Sequence, residues 1–255
     1  MDNLNFFSLA NKTAIVTGAS RGLGQAIAVG LAKAGALVIC SSSRPGGCNS
    51  TLNIIKESGG EGHEIPANLS DRQEVEHLFR ESLKISPKID ILVNNGGTIE
   101  RFPALEFPLE AWDKVLEINL TAPFLLSQLV AGNMKAHDGG KIINIASLLS
   151  YSGGITVPAY TASKHGIAGI TKALANEWAK HNIQVNAIAP GYFRTDNTQK
   201  LQDDPVRSQE IQGRIPADRW GDPKDLQGAV IFLASAASDY VNGTILNVDG
   251  GWMAR

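Results

Sequence analysis

Short apolar runs rich in β-branched residues alternate along the chain with longer stretches whose apolar positions recur at helical spacing. The runs predict strands over Thr13 to Thr17, Leu37 to Cys40, His63 to Pro66, Ile89 to Asn94, Lys141 to Ala146, Gln184 to Ala189 and Thr244 to Val248. Between them the pattern predicts helices over Leu23 to Ala34, Ser50 to Ser58, Arg72 to Ser82, Leu109 to Met134, Ala159 to Ala179 and Pro223 to Leu233. Strands that alternate with helices form parallel sheets, because each parallel pair needs a crossover long enough to hold a helix. Seven strands with no repeat or linker between them predict one doubly wound α/β domain over residues 1–255. Residues Thr195 to Asp218 are the longest stretch without a strand, polar and carrying Pro205 and Pro216, which is the composition of a lid over a site and also of an ordinary surface excursion.

Composition adds what the pattern cannot. Hydrophobic residues are 43% and charged residues 19% of 255, so the chain can bury a large core. The net charge of −2, with acids and bases interspersed, leaves no basic stripe for nucleic acid or an anionic membrane, and the expected partner is a small molecule. Cys40 and Cys48 belong to no metal-ligand set, so no metal site is expected and a reducing compartment is. The opening residues show no charged leader followed by an apolar stretch, and no apolar run nears the roughly 18 residues of a spanning helix. A cytoplasmic protein without membrane insertion is the expectation.

The first strand runs into TGASRGLG, Thr17 to Gly24, and then into an amphipathic helix. Glycines at 18, 22 and 24 let the chain turn sharply and approach a pyrophosphate, and the helix start offers unpaired N–H groups. Non-binding turns of this kind also need glycine, and the spacing G-x-x-x-G-x-G departs from the usual dinucleotide fingerprint. The second strand ends in Cys40-Ser41-Ser42-Ser43-Arg44, where an NAD site usually places a carboxylate on the ribose. Instead Ser42, Arg44 and Arg21 can meet a 2′-phosphate, so NADP(H) or both cofactors are favoured over NAD(H) alone.

Tyr160 and Lys164 lie four apart and therefore on one helix face, and Ser147 follows the strand KIINIA directly. Reducing a ketone requires a proton donor at its oxygen, and a phenol with a pKa near ~10 needs a neighbouring cation to serve. Lys164 supplies it and can also hold a nicotinamide ribose; Ser147 orients the substrate oxygen. Asn119 can hold a water that relays protons from Lys164. Each of these residues has a plain structural alternative as a surface pair, a loop hydroxyl or a helix polar residue; their co-occurrence in order carries the reading.

TGASRGLG, NNGG at Asn94 to Gly97, Asn119, Ser147, YTASK at Tyr160 to Lys164 and PGYFRT at Pro190 to Thr195 together resemble the short-chain dehydrogenase/reductase family over essentially the whole chain. The resemblance implies a Rossmann-like three-layer sandwich with a seven-stranded parallel sheet, a homotetramer, and Asn119, Ser147, Tyr160 and Lys164 as catalytic tetrad. It places NAD(H) or NADP(H) along Gly18, Ser20, Arg21, Gly22, Leu23, Gly24, Ser42, Arg44, Asn68, Leu69, Asn95, Gly96, Tyr160 and Lys164, with Phe193 and Thr195 at the carboxamide. Two departures stand out: the family's NNAG reads NNGG, which adds backbone freedom, and the Asp often found before the adenine contact is Asn68, which keeps an acceptor.

The C-terminal half, with NIASLLSYSGG, NTQKL, RIPADRWGDP and VDGGWMAR, resembles the sugar-acid branch of that family, the 2-dehydro-3-deoxy-D-gluconate 5-dehydrogenases (also called 2-deoxy-D-gluconate 3-dehydrogenases) and more loosely the gluconate 5-dehydrogenases. The implied substrate is a sugar acid, whose carboxylate needs a cation from Arg101, Arg214 or Arg219. Members of that branch often carry Arg where this chain has Thr156, and most use NAD, against the reading of Ser41 to Arg44. The competing activities are a 3-oxoacyl-carrier-protein reductase, for which the chain lacks a dense basic patch, and a non-catalytic cofactor-binding regulator, which has no need of all four tetrad residues.

Overall fold

The computed structural model describes residues 5–255. All seven predicted strands form and join one parallel sheet in the order β3-β2-β1-β4-β5-β6-β7. They are β1 Thr13–Thr17, β2 Leu37–Ser41, β3 Glu61–Glu64, β4 Ile91–Asn94, β5 Gly140–Ile145, β6 Ile183–Pro190 and β7 Ile245–Val248. The helices are α1 Gly22–Lys33, α2 Asn49–Glu57, α3 Arg72–Ile85, α4 Leu109–Leu116, α5 Ala122–Ala136, α6 Pro158–Trp178, α7 Gln199–Gln202, α8 Pro205–Arg214 and α9 Gln227–Ala234.

The central strands are apolar at nearly every position because both faces of the sheet are covered. Val16, Val38, Val93, Ile143 and Ile188 point to one face and meet Ile27 and Leu31 of α1, Ile55 of α2 and Val230 and Leu233 of α9. Their neighbours Ile15, Ile39, Leu92, Ile142 and Val185 point to the other and meet Leu78 of α3, Leu126 and Val130 of α5 and Leu174 of α6. Burying each such side chain contributes about 1.5–3 kcal/mol, so the alternation fixes which face each strand turns to which helices. The strand order reverses between β1 and β4, which opens a crevice beyond their carboxyl ends.

The structure corrects several sequence expectations. Strand β3 lies earlier than His63 to Pro66, because this edge strand pairs only with β2 through its backbone and its sequence EGHE carries no apolar pattern. The helix predicted over Leu109 to Met134 is interrupted by a widened π turn at Glu117–Thr121. The helix predicted from Pro223 starts with a tighter 3₁₀ turn, Pro223–Leu226, before α9. Thr195 to Asp218 contains α7 and α8, whose Ile211, with Ile215 and Trp220, forms a small core of its own against Tyr192, Leu201 and Trp252.

Among the described residues one helix, Leu109–Ala136, is long and apolar enough to cross a membrane by length and composition, although no uninterrupted apolar run of that length occurs in it. Its apolar residues Ala122, Leu126, Val130 and Met134 are buried against the sheet.

Candidate active site

The turn after β1 is built to bring backbone close to something else. Gly18 and Gly22 have φ of +65° and +56°, values that side-chain-bearing residues rarely adopt. Gly24 is helical, but a Cβ there would lie 2.1 Å from the Gly18 carbonyl oxygen, so the first turn of α1 packs on the loop with no room for a methyl. Asn95 donates from Nδ2 to the carbonyls of Thr17 (2.9 Å) and Gly18 (3.1 Å), and the Thr17 hydroxyl accepts from the Asn95 and Gly96 amides at 3.0 and 2.9 Å. Asn95 thus braces the glycine turn against the end of β4. From below, Thr51 on α2 donates to the Ala19 carbonyl at 2.7 Å.

The NNGG departure has a packing reason. A Cβ at Gly96 would lie 2.5 Å from Leu69 Cδ1, so Leu69 occupies the space a methyl would fill. Gly96 is not in the left-handed region, so the missing Cβ makes room for Leu69; the extra backbone freedom expected there is not used. Asn68 turns its acceptor Oδ1 onto the amide and hydroxyl of Ser70, at 3.2 and 2.9 Å.

Beyond β2, Glu64 holds the loop by accepting from the amides of Gly46 and Cys48 at 2.8 and 2.7 Å. The Ser42 hydroxyl donates to the Arg44 carbonyl, and Arg44 is exposed. Ser41 Oγ is buried at the strand end with no hydrogen-bond partner. Arg21, which caps α1, pairs with Asp196 at 3.1 Å, both side chains being well exposed. Ser20 and Leu23 are half-buried in the same turn. Phe193 is buried, bridging to Gly221, and the Thr195 side chain lies against Gly22. A glycine cradle that any Cβ would obstruct, with an orphaned buried hydroxyl nearby, fits a dinucleotide.

Asn119 sits within the π turn, buried. Its Oδ1 accepts from the Thr98 amide at 2.8 Å, and its Nδ2 donates to the Thr98 carbonyl at 2.9 Å and to Ser163 Oγ at 3.2 Å. Both side-chain donors are therefore spent on protein. Pro123, four residues on, has no N–H to give the Asn119 carbonyl, so that oxygen lacks its regular helical donor. Widened turns of this kind concentrate at functional sites.

Ser147 leaves β5 in extended conformation and caps a 3₁₀ turn, accepting from the Leu149 amide at 3.2 Å. Ser150 Oγ accepts from the Ser147 amide at 3.3 Å and donates to the Lys164 carbonyl at 2.7 Å, tying that turn to α6. Ser163, fully buried, donates to the Tyr160 carbonyl at 2.7 Å. Ser150 and Ser163 hold Ser147, Asn119 and Tyr160 in one frame, and the sequence reading passed over both. Ser163 was discernible within YTASK, three residues from Tyr160 and so on its helix face.

Lys164 is buried, and its Nζ donates to the Ile145 carbonyl at 2.6 Å and lies 5.5 Å from the Tyr160 ring centroid. Burial pulls its pKa down to about 8. Burial pushes the Tyr160 phenol up, while the Ser147 hydroxyl and the positive charge of Arg101 act against that rise. The four tetrad candidates therefore meet at the carboxyl ends of β4 and β5.

The three candidate arginines separate. Arg219 is bound to Asp225 at 2.6 Å and to the Trp220 carbonyl at 3.2 Å. Arg214 stacks on Trp252 at 4.2 Å. Arg101 is exposed, forms no ion pair among the described residues, and its positive charge acts to lower the Tyr160 phenol pKa. Among the described residues no three His, Cys, Asp or Glu side chains are grouped to hold a metal ion.

Residues 12–206 match the short chain dehydrogenase family. The chain is 52% identical to the 2-dehydro-3-deoxy-D-gluconate 5-dehydrogenase of Dickeya dadantii (strain 3937) and 50% identical to that of Escherichia coli (strain K12), each over 254 residues and 99% of both chains. It superposes with a TM-score of 0.94 and 37% identity on a gluconate 5-dehydrogenase from Burkholderia cenocepacia J2315 in complex with NADP and tartrate, over 99% of both chains. A glycine turn beside a Tyr160–Lys164 pair in a sheet of this order agrees with those likenesses, and the chain belongs to the short chain dehydrogenase family, whose members are oxidoreductases acting on CH–OH groups.

Proposed function

We propose that the protein interconverts a secondary alcohol and a ketone on a sugar acid, with 2-dehydro-3-deoxy-D-gluconate as substrate, and uses NAD(H) or NADP(H). The observation that carries the reading is the meeting of Tyr160, Lys164, Ser147 and Asn119 at one end of the sheet, beside the glycine cradle. The substrate class rests on relatives about half identical over the whole chain.

Gly18, Ser20, Arg21, Gly22, Leu23 and Gly24 would hold the pyrophosphate, Asn68, Leu69 and Gly96 the adenosine, and Phe193 and Thr195 the carboxamide. When bound, the cofactor supplies or takes up the hydride. Tyr160 receives the alcohol's proton in oxidation and returns it to the ketone oxygen in reduction. Ser147 fixes that oxygen, and Lys164 lowers the energy of the phenolate through its charge. The Asn119 carbonyl, without its helical donor, holds a water through which Lys164 exchanges protons with solvent. Arg101 receives the substrate carboxylate, because Arg214 and Arg219 are already engaged.

The loop after β2 carries no carboxylate before Arg44, which favours tolerance of a 2′-phosphate, with Arg44 as its partner. Residues 195–218 act as a lid: α7 and α8 have their own small core, and the Arg21–Asp196 pair latches the segment to the glycine turn. The whole chain acts as one catalytic domain in the cytoplasm, consistent with its two free, buried cysteines. A homotetramer is supported by the outer faces of α5 and α6. There a groove of about 330 Å³ is lined by Phe124, Gly132, Leu174 and Trp178, and Gly132 and Gly169 present bare backbone.

The test is the initial rate of NAD⁺ and NADP⁺ reduction with 2-dehydro-3-deoxy-D-gluconate, in the wild type and in Tyr160→Phe. Turnover that vanishes in the variant while cofactor still binds supports the reading. Full activity in Tyr160→Phe overturns the acid/base, and no turnover of this acid in the wild type overturns the substrate.

A further inference from the structure

Five non-glycine residues among those described have positive φ: Asn11, Asp138, Thr156, Asn182 and Asp218. Four are Asn or Asp, whose short polar side chains tolerate the left-handed region. Thr156, at φ +65°, is the one β-branched residue among them, and for such a side chain the conformation is a true outlier. Strain of this kind persists only where the surroundings impose it, and it clusters at functional sites. Here the Thr156 carbonyl accepts the Phe102 amide at 3.0 Å, and its hydroxyl donates to the Ile155 carbonyl at 2.6 Å. Thr156 lies two residues before α6, the helix that carries Tyr160, and Phe102 is the immediate neighbour of Arg101. The bond therefore joins the loop after β4 to the head of the helix that carries the phenol.

We infer that Thr156 is a specificity-determining positioning residue: its left-handed carbonyl pins the Phe102 amide and so holds the Arg101 guanidinium at the Tyr160 phenol, where it selects substrates bearing a carboxylate. This rests on Arg101 as the carboxylate receptor. Residue 101 follows β4 in a loop without regular structure, so nothing in its own element fixes the guanidinium. On the α4 side Glu100 is held by Lys114 at 2.7 Å and Phe102 packs on the Phe107 ring, and the strained turn is the restraint that ties the same loop to the head of α6 on the Tyr160 side.

The experiment compares kcat/KM for 2-dehydro-3-deoxy-D-gluconate and for its uncharged C1 amide. Any effect of Arg101 on the phenol itself changes both equally and cancels in the ratio. Arg101→Gln should lower the acid-over-amide preference on the order of 10- to 100-fold, the range of a lost charge-assisted hydrogen bond. Thr156→Pro, which forces φ negative, should reproduce most of that loss, whereas Thr156→Gly, which takes positive φ freely, should keep the preference within about threefold.

An unchanged preference in Arg101→Gln removes the carboxylate receptor and the inference with it, while leaving the Tyr160→Phe test of the reaction untouched. Loss in Arg101→Gln with full preference in Thr156→Pro overturns the positioning role alone, and so does loss in Thr156→Gly. If Thr156→Pro no longer binds NADPH and is misfolded, Phe102→Pro deletes the same hydrogen bond from its donor side, and Pro103 already disposes residue 102 to an extended backbone. A retained preference in that variant overturns the inference.

Discussion

Replacing Lys164 by Met should abolish turnover and yet stabilise the fold at neutral pH. Burial brings the Lys164 pKa from its ordinary 10.5 to about 8. At pH 7 the ammonium is charged in both folded and unfolded chains, and holding it in the folded interior costs about 3 kcal/mol, at roughly 1.4 kcal/mol per pKa unit. Met fills similar volume without the charge but leaves the Ile145 carbonyl without its 2.6 Å donor. That loss is worth about 1–2 kcal/mol, so the expected net gain is about 1–2 kcal/mol, or roughly 2–6 °C in melting temperature for a chain of this length.

The gain depends on pH with a definite sign. Folding lowers this pKa, so between about pH 8 and 10.5 the unfolded chain binds the additional proton, and wild-type stability rises with pH across that window. The wild-type handicap is complete below pH 8 and falls to roughly 1.5 kcal/mol by pH 9.5, so the advantage of Lys164→Met should shrink by about 2 kcal/mol between pH 7 and pH 9.5. Denaturant melts of both proteins at the two pH values, with protein concentration held constant, measure this directly. An advantage that is the same at both pH values refutes the assignment of a depressed, buried ammonium.

Asn119→Ala breaks both bonds to Thr98 and leaves buried polar groups unpaired, so thermal unfolding should show a loss of about 2–4 kcal/mol along with reduced kcat. Gly24→Ala drives a methyl onto the Gly18 carbonyl, and NADPH fluorescence titration should show cofactor binding abolished, because Gly18 is backbone that cannot yield. Arg44→Ala should raise KM for NADP⁺ about tenfold or more while changing KM for NAD⁺ little; equal effects on both would remove Arg44 from the 2′-phosphate. Arg101→Gln takes away a charge that holds the Tyr160 phenol down, so the rising, acid-side limb of the oxidation pH profile, where Tyr160 must be deprotonated to act as base, should move to higher pH.

The sheet and both helical layers were legible in the linear pattern, because they rest on periodicity, which is local; the four tetrad candidates were proposed from the Tyr160–Lys164 spacing together with the motifs that resemble the family. Strand β3 was misplaced because an edge strand held by backbone pairing alone leaves little apolar trace. The π turn escaped because nothing in LEINLTAPF marks Thr98, twenty-one residues earlier, as the partner of Asn119. The positions of the arginines were equally hidden: all three looked alike as candidates, and only Asp225 and Trp252, brought near by folding, engage two of them.

By itself the sequence determined the order and type of the elements, the glycine turn and the Tyr160–Lys164 face, since these depend on residues within a few positions of one another. Tertiary structure alone decided which arginine forms no ion pair among the described residues, which partners occupy the Asn119 side chain, and which side chain fills the space beside Gly96. Apart from the Arg219–Asp225 pair, six residues apart, these are settled by contacts between residues distant along the chain, where packing and charge pairing act and periodicity carries no information.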